Sequence, residues 1–308
     1  MQRSPTDTYP RNIQGVPVAR PQIRFSKTAF VALAAAAAMA MTACAGGSAT
    51  TTSSPSADAN ATGVNLPTVV KGKLTIATGE PAYSPWVLNN APESGEGYEA
   101  AVAYAVAEQL GFTKDAVQWT RTSFDAAIAP GAKDWDFNLQ QFSITEERKN
   151  AVDFSSPYYT TSQAVVALKN GKGSNAKSVA DLADLQIGVQ SGTTSQIFVS
   201  GNVKTNKDPL IFNSSIDVVQ ALKGGQVDAI VVDLPTAFNI IATQVEEGTV
   251  VGQFADTTDG DNYGLVLPKG SALTPAITKA VDALRESGKL AEIQKKWLSE
   301  SVSVPVLK

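Results

Sequence analysis

Alternating apolar and polar positions mark a first short strand at Lys73 to Thr78, K-L-T-I-A-T, the period of a strand with one buried face. Gly79 to Trp86 follows as a loop, because Pro81 and Pro85 cannot donate to a ladder. Gly97-Tyr98-Glu99 opens a helix that runs to Leu110 and stops at Gly111. Its faces are nearly all Ala and Val, which predicts a well-buried helix. Val117 to Arg121 reads as the next strand, Ser123 caps a helix from Phe124, and Asp134 to Leu139 is a further strand. Thr161 to Leu168 is a strand after the Pro157-Tyr158-Tyr159 turn, and Lys169 to Lys177 is a polar loop. Ser178 to Asp181 resembles a capping box with Asp in place of Glu. Leu185 to Gln190 is a strand that enters Ser191-Gly192-Thr193-Thr194 and then a helix. Ser215 to Lys223 is an amphipathic helix stopped by Gly224-Gly225, and Val227 to Val232 is a buried strand. Asp233-Leu234-Pro235 begins a helix with Pro at the first helical position. A strand at Tyr263 to Pro268 precedes helices at Pro275 to Ser287, capped by Gly288, and Leu290 to Leu298.

Three places in this pattern carry chemistry. In Gln141 to Tyr159, Thr145 can cap a short helix whose first turn holds Glu146, Glu147 and Arg148. Acids suit that end of a helix and a cation does not, so Arg148 points to an anionic partner, which a guanidinium grips through two parallel bonds. The plain alternative pairs Arg148 with Glu146, Glu147 or Asp153 on a solvated surface. The strand, glycine turn and helix around Gly192 and Thr194 form an anion site, since first-turn amides are free and the dipole is positive there. Any strand-to-helix turn can carry Gly-Thr, so this signal alone is weak. Asp233 is placed as a favoured N-cap. The aromatics Tyr83 and Trp86 are either cleft walls or ordinary core.

Composition narrows the class. The chain has 308 residues, 43% hydrophobic and 18% charged, which is not a disordered composition. Residues 1–43 hold five of the 25 basic residues and one of the 29 acidic ones, leaving 20 against 28. So acidic a remainder argues against nucleic-acid binding. With no His and one Cys, no metal site and no cofactor are expected and an intramolecular disulfide is impossible. Phe25 to Ala43 is an apolar run after basic residues, the layout of a secretory signal and short for a membrane span. An uncleaved anchor helix is the alternative, and the long stretch before Arg20 suggests a start codon downstream of Met1. Met41-Thr42-Ala43-Cys44 resembles a lipobox, which implies a diacylglycerol-modified Cys44 and explains the single cysteine. Ala45 to Thr62 lacks apolar bulk and reads as a flexible tether.

The segment S-I-T-E-E-R, followed by V-D-F-S-S-P-Y-Y, resembles the signature of the family 3 extracellular solute-binding proteins, the polar amino acid binding proteins of bacterial ABC importers. The resemblance spans roughly residues 70–300. It implies that Arg148 clamps a ligand α-carboxylate and that Ser143 contacts the ligand through main chain and hydroxyl. Gly192 and Thr194 approach the same carboxylate from the other side, and Asp233 bonds the α-ammonium. Tyr83 and Phe124 form opposed aromatic walls, Glu80 meets the ligand's side chain, and Gln190 sits where members vary with that side chain. Gln140 and Gln141 replace small residues, and Gln141 adds an amide contact. Ala101 stands where the family carries a second acid, so no binding role is expected for its helix.

The implied fold is α/β, the type II periplasmic-binding-protein fold: two lobes, a ligand cleft and two crossings. Expected boundaries are 1–43 for the signal peptide, 44–66 for the tether, 67–162 and 257–308 for the parts of lobe 1, and 163–256 for lobe 2. The implied protein is a lipid-anchored monomer on the extracytoplasmic face of the cell membrane, passing an amino acid to permease subunits. An enzyme resembling a secreted cyclohexadienyl dehydratase, with Glu80 as its acid, is the alternative. A receptor sensor domain would require a second membrane segment. If Glu80 faces the pocket, polar neutral or basic amino acids are favoured. If it turns outward, it says nothing about specificity.

Overall fold

The computed structural model describes residues 65–255, 261–298 and 304–308. The signal segment, Cys44 and the tether up to residue 64 lie outside the described residues. Strands β1 (Leu74–Thr78), β2 (Val117–Arg121), β3 (Phe137–Asn138) and β4 (Val152–Phe154) come first, with helices α1 (Tyr98–Gln109), α2 (Phe124–Ile128) and α3 (Glu146–Lys149) between them. After β5 (Tyr159–Thr161) come β6 (Gln163–Leu168), β7 (Ile187–Gln190), α4 (Thr194–Asn202), β8 (Leu210–Phe212), α5 (Ser215–Lys223), β9 (Ala229–Asp233), α6 (Leu234–Thr243) and β10 (Gly248–Phe254). The chain ends with β11 (Asp261–Tyr263), β12 (Val266–Pro268), α7 (Thr274–Glu286), α8 (Lys289–Trp297) and β13 (Val306–Leu307).

These strands make two sheets, one per lobe, ordered β2-β1-β3-β12-β4 and β13-β10-β6-β9-β7-β8. β5 and β11 form a separate antiparallel pair, with Tyr159 opposite Tyr263 and Thr161 opposite Asp261. They are the passages between lobes, and each supplies the ladder partner of the other. The sequence runs both passages straight on into the next strand, but the structure interrupts them. Ser162 leaves the ladder to donate to Gln253 Oε1 at 2.8 Å. Gly264 breaks the second run where a Cβ would lie 2.9 Å from Ile144.

Local rules explain most boundaries. Ser123, Thr145, Thr193 and Ser214 each accept a backbone N–H at the start of a helix, as N-caps do. β3 is only two residues long, although Asp136 N and Leu139 N on either side still donate to Thr75 O at 2.8 Å and Ala77 O at 3.1 Å of β1. The Asp136 carboxylate adds bonds from the amides of Thr75 at 2.7 Å and Val69 at 2.8 Å. Pro235 occupies the second helical position of α6, not the first, since Leu234 is already helical. The Ser178–Asp181 box closes only a single 3-10 turn at Ala180–Leu182.

Residues 304–308 were expected with lobe 1. Instead β13 adds in parallel to β10 on the lobe 2 sheet, Leu307 is 1% exposed, and Lys308 O accepts from Val179 N at 3.2 Å. An unpaired sheet edge attracts a strand, and the apolar Leu307 gains burial there. Gly252 makes the approach possible, since a Cβ would lie 2.8 Å from Pro305 O and 2.9 Å from Leu307 Cγ. Gly252→Ala should therefore displace the last strand. Hydrogen exchange at Leu307 is expected to speed up by about tenfold or more, a loss of roughly 1.4 kcal/mol of local protection. Unchanged exchange there would show that the strand tolerates a side chain at 252.

Candidate functional site

The cleft is a cavity of about 210 Å³ lined from both lobes. Arg148 lies at its centre. Thr145 Oγ1 caps the short helix α3 by accepting from Arg148 N at 3.2 Å, which fixes where the side chain starts. The residue is 7% exposed. Nη1 donates to Ser143 O at 2.7 Å, Nη2 donates across the cleft to Gly192 O at 2.9 Å, and the guanidinium stands 5.4 Å from the Phe124 ring centroid. The surface pairing fails. Glu146 is taken by Lys149 at 2.7 Å and Asp153 by Lys269 at 3.2 Å. Among the described residues no carboxylate oxygen comes within ion-pairing distance of Arg148. Burial pulls its pKa down, and the more distant Asp261 and Asp233 pull it back.

The facing turn comes from lobe 2. Gly192 adopts φ +71°, a conformation that suits glycine, and its N–H is held by Gln196 Oε1 at 2.8 Å. A side chain at 192 would meet Asp125 Oδ1 of lobe 1 at 2.9 Å, so the lobes touch here. Thr194 Oγ1 is 3.3 Å from Ser143 Oγ, a second contact across the cleft. The segment carrying Ser143 is itself anchored on the second passage, through Ile144 N to Asn262 O at 2.8 Å and Gly264 N to Phe142 O at 3.0 Å. Gln190 Oε1 accepts from Ser215 Oγ and lines the same cavity.

Asp233 ends β9 and occupies the N-cap position of α6, yet its side chain makes no capping bond. It accepts from Gln163 Nε2 instead. Desolvation pushes its carboxyl up to about 7, and the neighbouring Asp261 adds to this. The Tyr263 hydroxyl, Gln163 and Arg148 act in the opposite direction. Gln163 Nε2 also donates to Asp261.

On the lobe 1 side α1 reaches the cavity. Glu99, in the first turn of that helix, lines the cavity and is 1% exposed. It accepts from Gln141 N at 2.8 Å, from Gln141 Nε2 and from the Tyr158 hydroxyl. All three donors are neutral, and burial pushes its carboxyl up to about 7. These bonds hold Gln141 at φ +53°, which is uncommon for a residue other than glycine. The Gln141 amide, expected as a ligand contact, is engaged by Glu99. Glu80 lies at the mouth of the cavity with its side chain 59% exposed, 3.8 Å from Arg121 Nε. It is therefore not the buried acid of this cleft.

Tyr83 is a half-buried cavity wall, its hydroxyl pKa raised by burial and by Asp217 of lobe 2. Phe124 stacks on Phe142 at 4.7 Å between centroids. Trp86 is both core and cleft: 1% exposed, packed edge-on against Tyr98, Tyr159 and Tyr263, and donating to Thr236 Oγ1 across the lobes at 3.3 Å. Sequence reasoning missed Glu99, Gln163 and Asp261. An acid two positions past Gly97 was a visible signal for Glu99. Gln163 and Asp261 become neighbours only through strand pairing, which no local pattern announces.

Comparison with known proteins identifies the family and the fold. The profile of the bacterial extracellular solute-binding proteins, family 3, matches residues 74–300. The chain is 30% identical over 246 residues to the L-arginine-binding protein of Pseudomonas aeruginosa, covering 78% of this chain and 93% of that one. An ancestral arginine-binding protein bound to arginine has a TM-score of 0.62 at 31% identity, covering 74% of this chain and 98% of that one. An ancestral amino acid-binding protein, a precursor of cyclohexadienyl dehydratase, has a TM-score of 0.60 at 27% identity, covering 74% and 96%. The fold is the two-lobed type II fold.

The raised carboxyls have a consequence for stability. Glu99 moves from an ordinary 4.5 to about 7 on folding, so the folded state binds the proton more tightly. The resulting stability is full below the unfolded value and is lost as pH rises through about 7. A shift of this size corresponds to on the order of 3 kcal/mol. The ligand-free protein should melt lower at about pH 8 than at about pH 5, and Glu99→Gln should reduce that difference. A wild-type melting temperature that is flat or rises over this range would contradict the placement of Glu99.

Proposed function

The chain belongs to the bacterial extracellular solute-binding proteins, family 3, and from that premise we propose that it captures a free amino acid outside the cytoplasm and delivers it to the permease subunits of an ABC importer. One observation carries the reading. Among the described residues, a buried guanidinium bonded to carbonyls faces, across one small cavity, the Asp233 carboxylate, which is bonded by neutral groups. Such a pair of unmatched charges complements a zwitterion. Arg148, Ser143 and Thr194 take the ligand's carboxylate in this reading, and Asp233 takes its ammonium; Gly192, expected beside them, has its N–H on Gln196 and its carbonyl on Arg148 and does not line the cavity. Tyr83 and Phe124 flank the aliphatic part, with Gln141, Gln190 and Glu80 toward the side-chain end.

The ligand class is a basic or polar neutral amino acid. The lobe 1 side of the cavity presents Glu99 and, at the mouth, Glu80, so a guanidinium, ammonium or amide finds acceptors there. An acidic side chain would meet like charge, and an aliphatic one would gain nothing from either acid. Relatives named for arginine binding support this choice. We read the protein as a monomeric binder and not an enzyme, because the acid proposed for a dehydration, Glu80, is exposed and lies beside Arg121. Closure of the lobes is the event the permease reads, and a lipid on Cys44 keeps the domain at the membrane.

Calorimetry with the twenty amino acids tests the site. Arginine, lysine or glutamine should bind, and Arg148→Ala should weaken the best of them by about 2–5 kcal/mol while leaving the melting temperature of the free protein near wild type. Binding of glutamate or leucine alone would overturn the ligand class, and an unchanged dissociation constant in the variant would remove Arg148 from the site. For the anchor, Cys44→Ser should release the protein or leave it as precursor. Fully processed protein still in the membrane fraction would rule out lipidation, since stable anchoring takes about two acyl chains.

A further inference from the structure

Gln163 opens β6, directly opposite Asp233 on β9. Two residues earlier, Thr161 on β5 stands opposite Asp261 on β11. Ser162 separates the two strands, and the amide's own hydrogen bonds place it between the two carboxylates. It is 6% exposed and uses both ends. Nε2 donates to Asp233 and Asp261 and lies 3.4 Å from Thr194 Oγ1, while Oε1 accepts from Ser195 Oγ. Asp261 Oδ2 also accepts from Thr194 Oγ1 at 3.3 Å. Neither Gln163 nor Asp261 lines the cavity. One amide thus joins the acid at the cavity floor, the first turn of α4 and the second passage between lobes.

We propose that Gln163 is a positioning residue that orients Asp233 for a ligand's ammonium and, through Asp261, ties that contact to the second passage strand. The inference rests on the amino acid-binding reading for the identity of the ligand, and on geometry alone for the network. Among the described residues the amide is the one neutral donor shared by both carboxylates, and without it their repulsion would turn one of them away. The other ionisable groups facing Asp233 are Arg148 from α3, Tyr159 from β5, and Asp261 and Tyr263 from β11. An ammonium is held by the ionised acid, so affinity should rise with pH through the Asp233 midpoint near 7.

Two substitutions in the purified full chain should move that midpoint in opposite directions. Gln163→Leu removes a donor to the carboxylate and should raise the midpoint by about one pH unit, weakening L-arginine about tenfold below it. Asp261→Asn removes the like charge and should lower the midpoint. Both are read by carbon NMR titration of the Asp233 carboxyl, assigned with Asp233→Asn, and by calorimetry with L-arginine across pH. Opposite shifts support the proposal. Midpoints and profiles unmoved in both variants, or affinity lowered equally at every pH, overturn it. If Gln163→Leu does not fold, the downward shift in Asp261→Asn decides alone. If wild type ignores L-arginine, the binding reading fails while the carboxyl titration still decides this one.

Discussion

A guanidinium buried between two lobes without a counter-ion in contact is the constraint around which the cleft is arranged. An ion removed from water needs full hydrogen bonding to persist. Here the acceptors are carbonyls, Ser143 O from lobe 1 and Gly192 O from lobe 2, and Phe124 offers a ring face. Neither lobe satisfies the group alone. The cap at Thr145, the glycine at 192 and the left-handed Gln141 serve this arrangement, each holding a piece of backbone where the cation can reach it. The carboxylates on the other side remain near enough to favour the charge yet too far to neutralise it.

The passage strands are the second element of the design. Because β5 and β11 pair with each other, and the Ser143 segment hydrogen-bonds alongside β11, the site platform and the hinge are one piece of structure. Trp86 packs edge to face on Tyr98, Tyr159 and Tyr263, as Tyr98 does on Tyr159, and Tyr158 lies tilted against Tyr98 and Tyr263. Such pairs contribute beyond their buried area, and they pack where the two passages cross between the lobes.

Much of this architecture is legible in the amino-acid sequence. Helix starts at Ser123 and Thr145, the stop at Gly111, the strand at Val117 to Arg121 and the helix at Ser215 to Lys223 follow from local rules of capping and periodicity. The S-I-T-E-E-R stretch exposes its cation because Arg in a first helical turn contradicts the local electrostatics. What stays hidden depends on pairing over long separations. Glu99 looks like the polar start of a buried Ala-rich helix, and only the fold brings Gln141 and Tyr158 to it. Gln163 sits 98 positions from Asp261, and β13 chooses the far sheet for its edge. Glu80 misleads in the other direction, since nothing local announces that Arg121 stands beside it.

The placement of β13 bears on how the chain comes to be folded. Lobe 1 takes β12 into the middle of its sheet, between β3 and β4, after the whole of lobe 2 has gone by. Lobe 2 receives its outermost strand from the last five residues. Neither sheet can close while the C-terminal quarter of the chain is still missing. Domains usually fold in order as they emerge during synthesis, but this topology defers completion of both lobes to the end. Each sheet therefore stays short of a strand until the C-terminal segment has been made, and the two lobes reach their full set of strands together, not in turn.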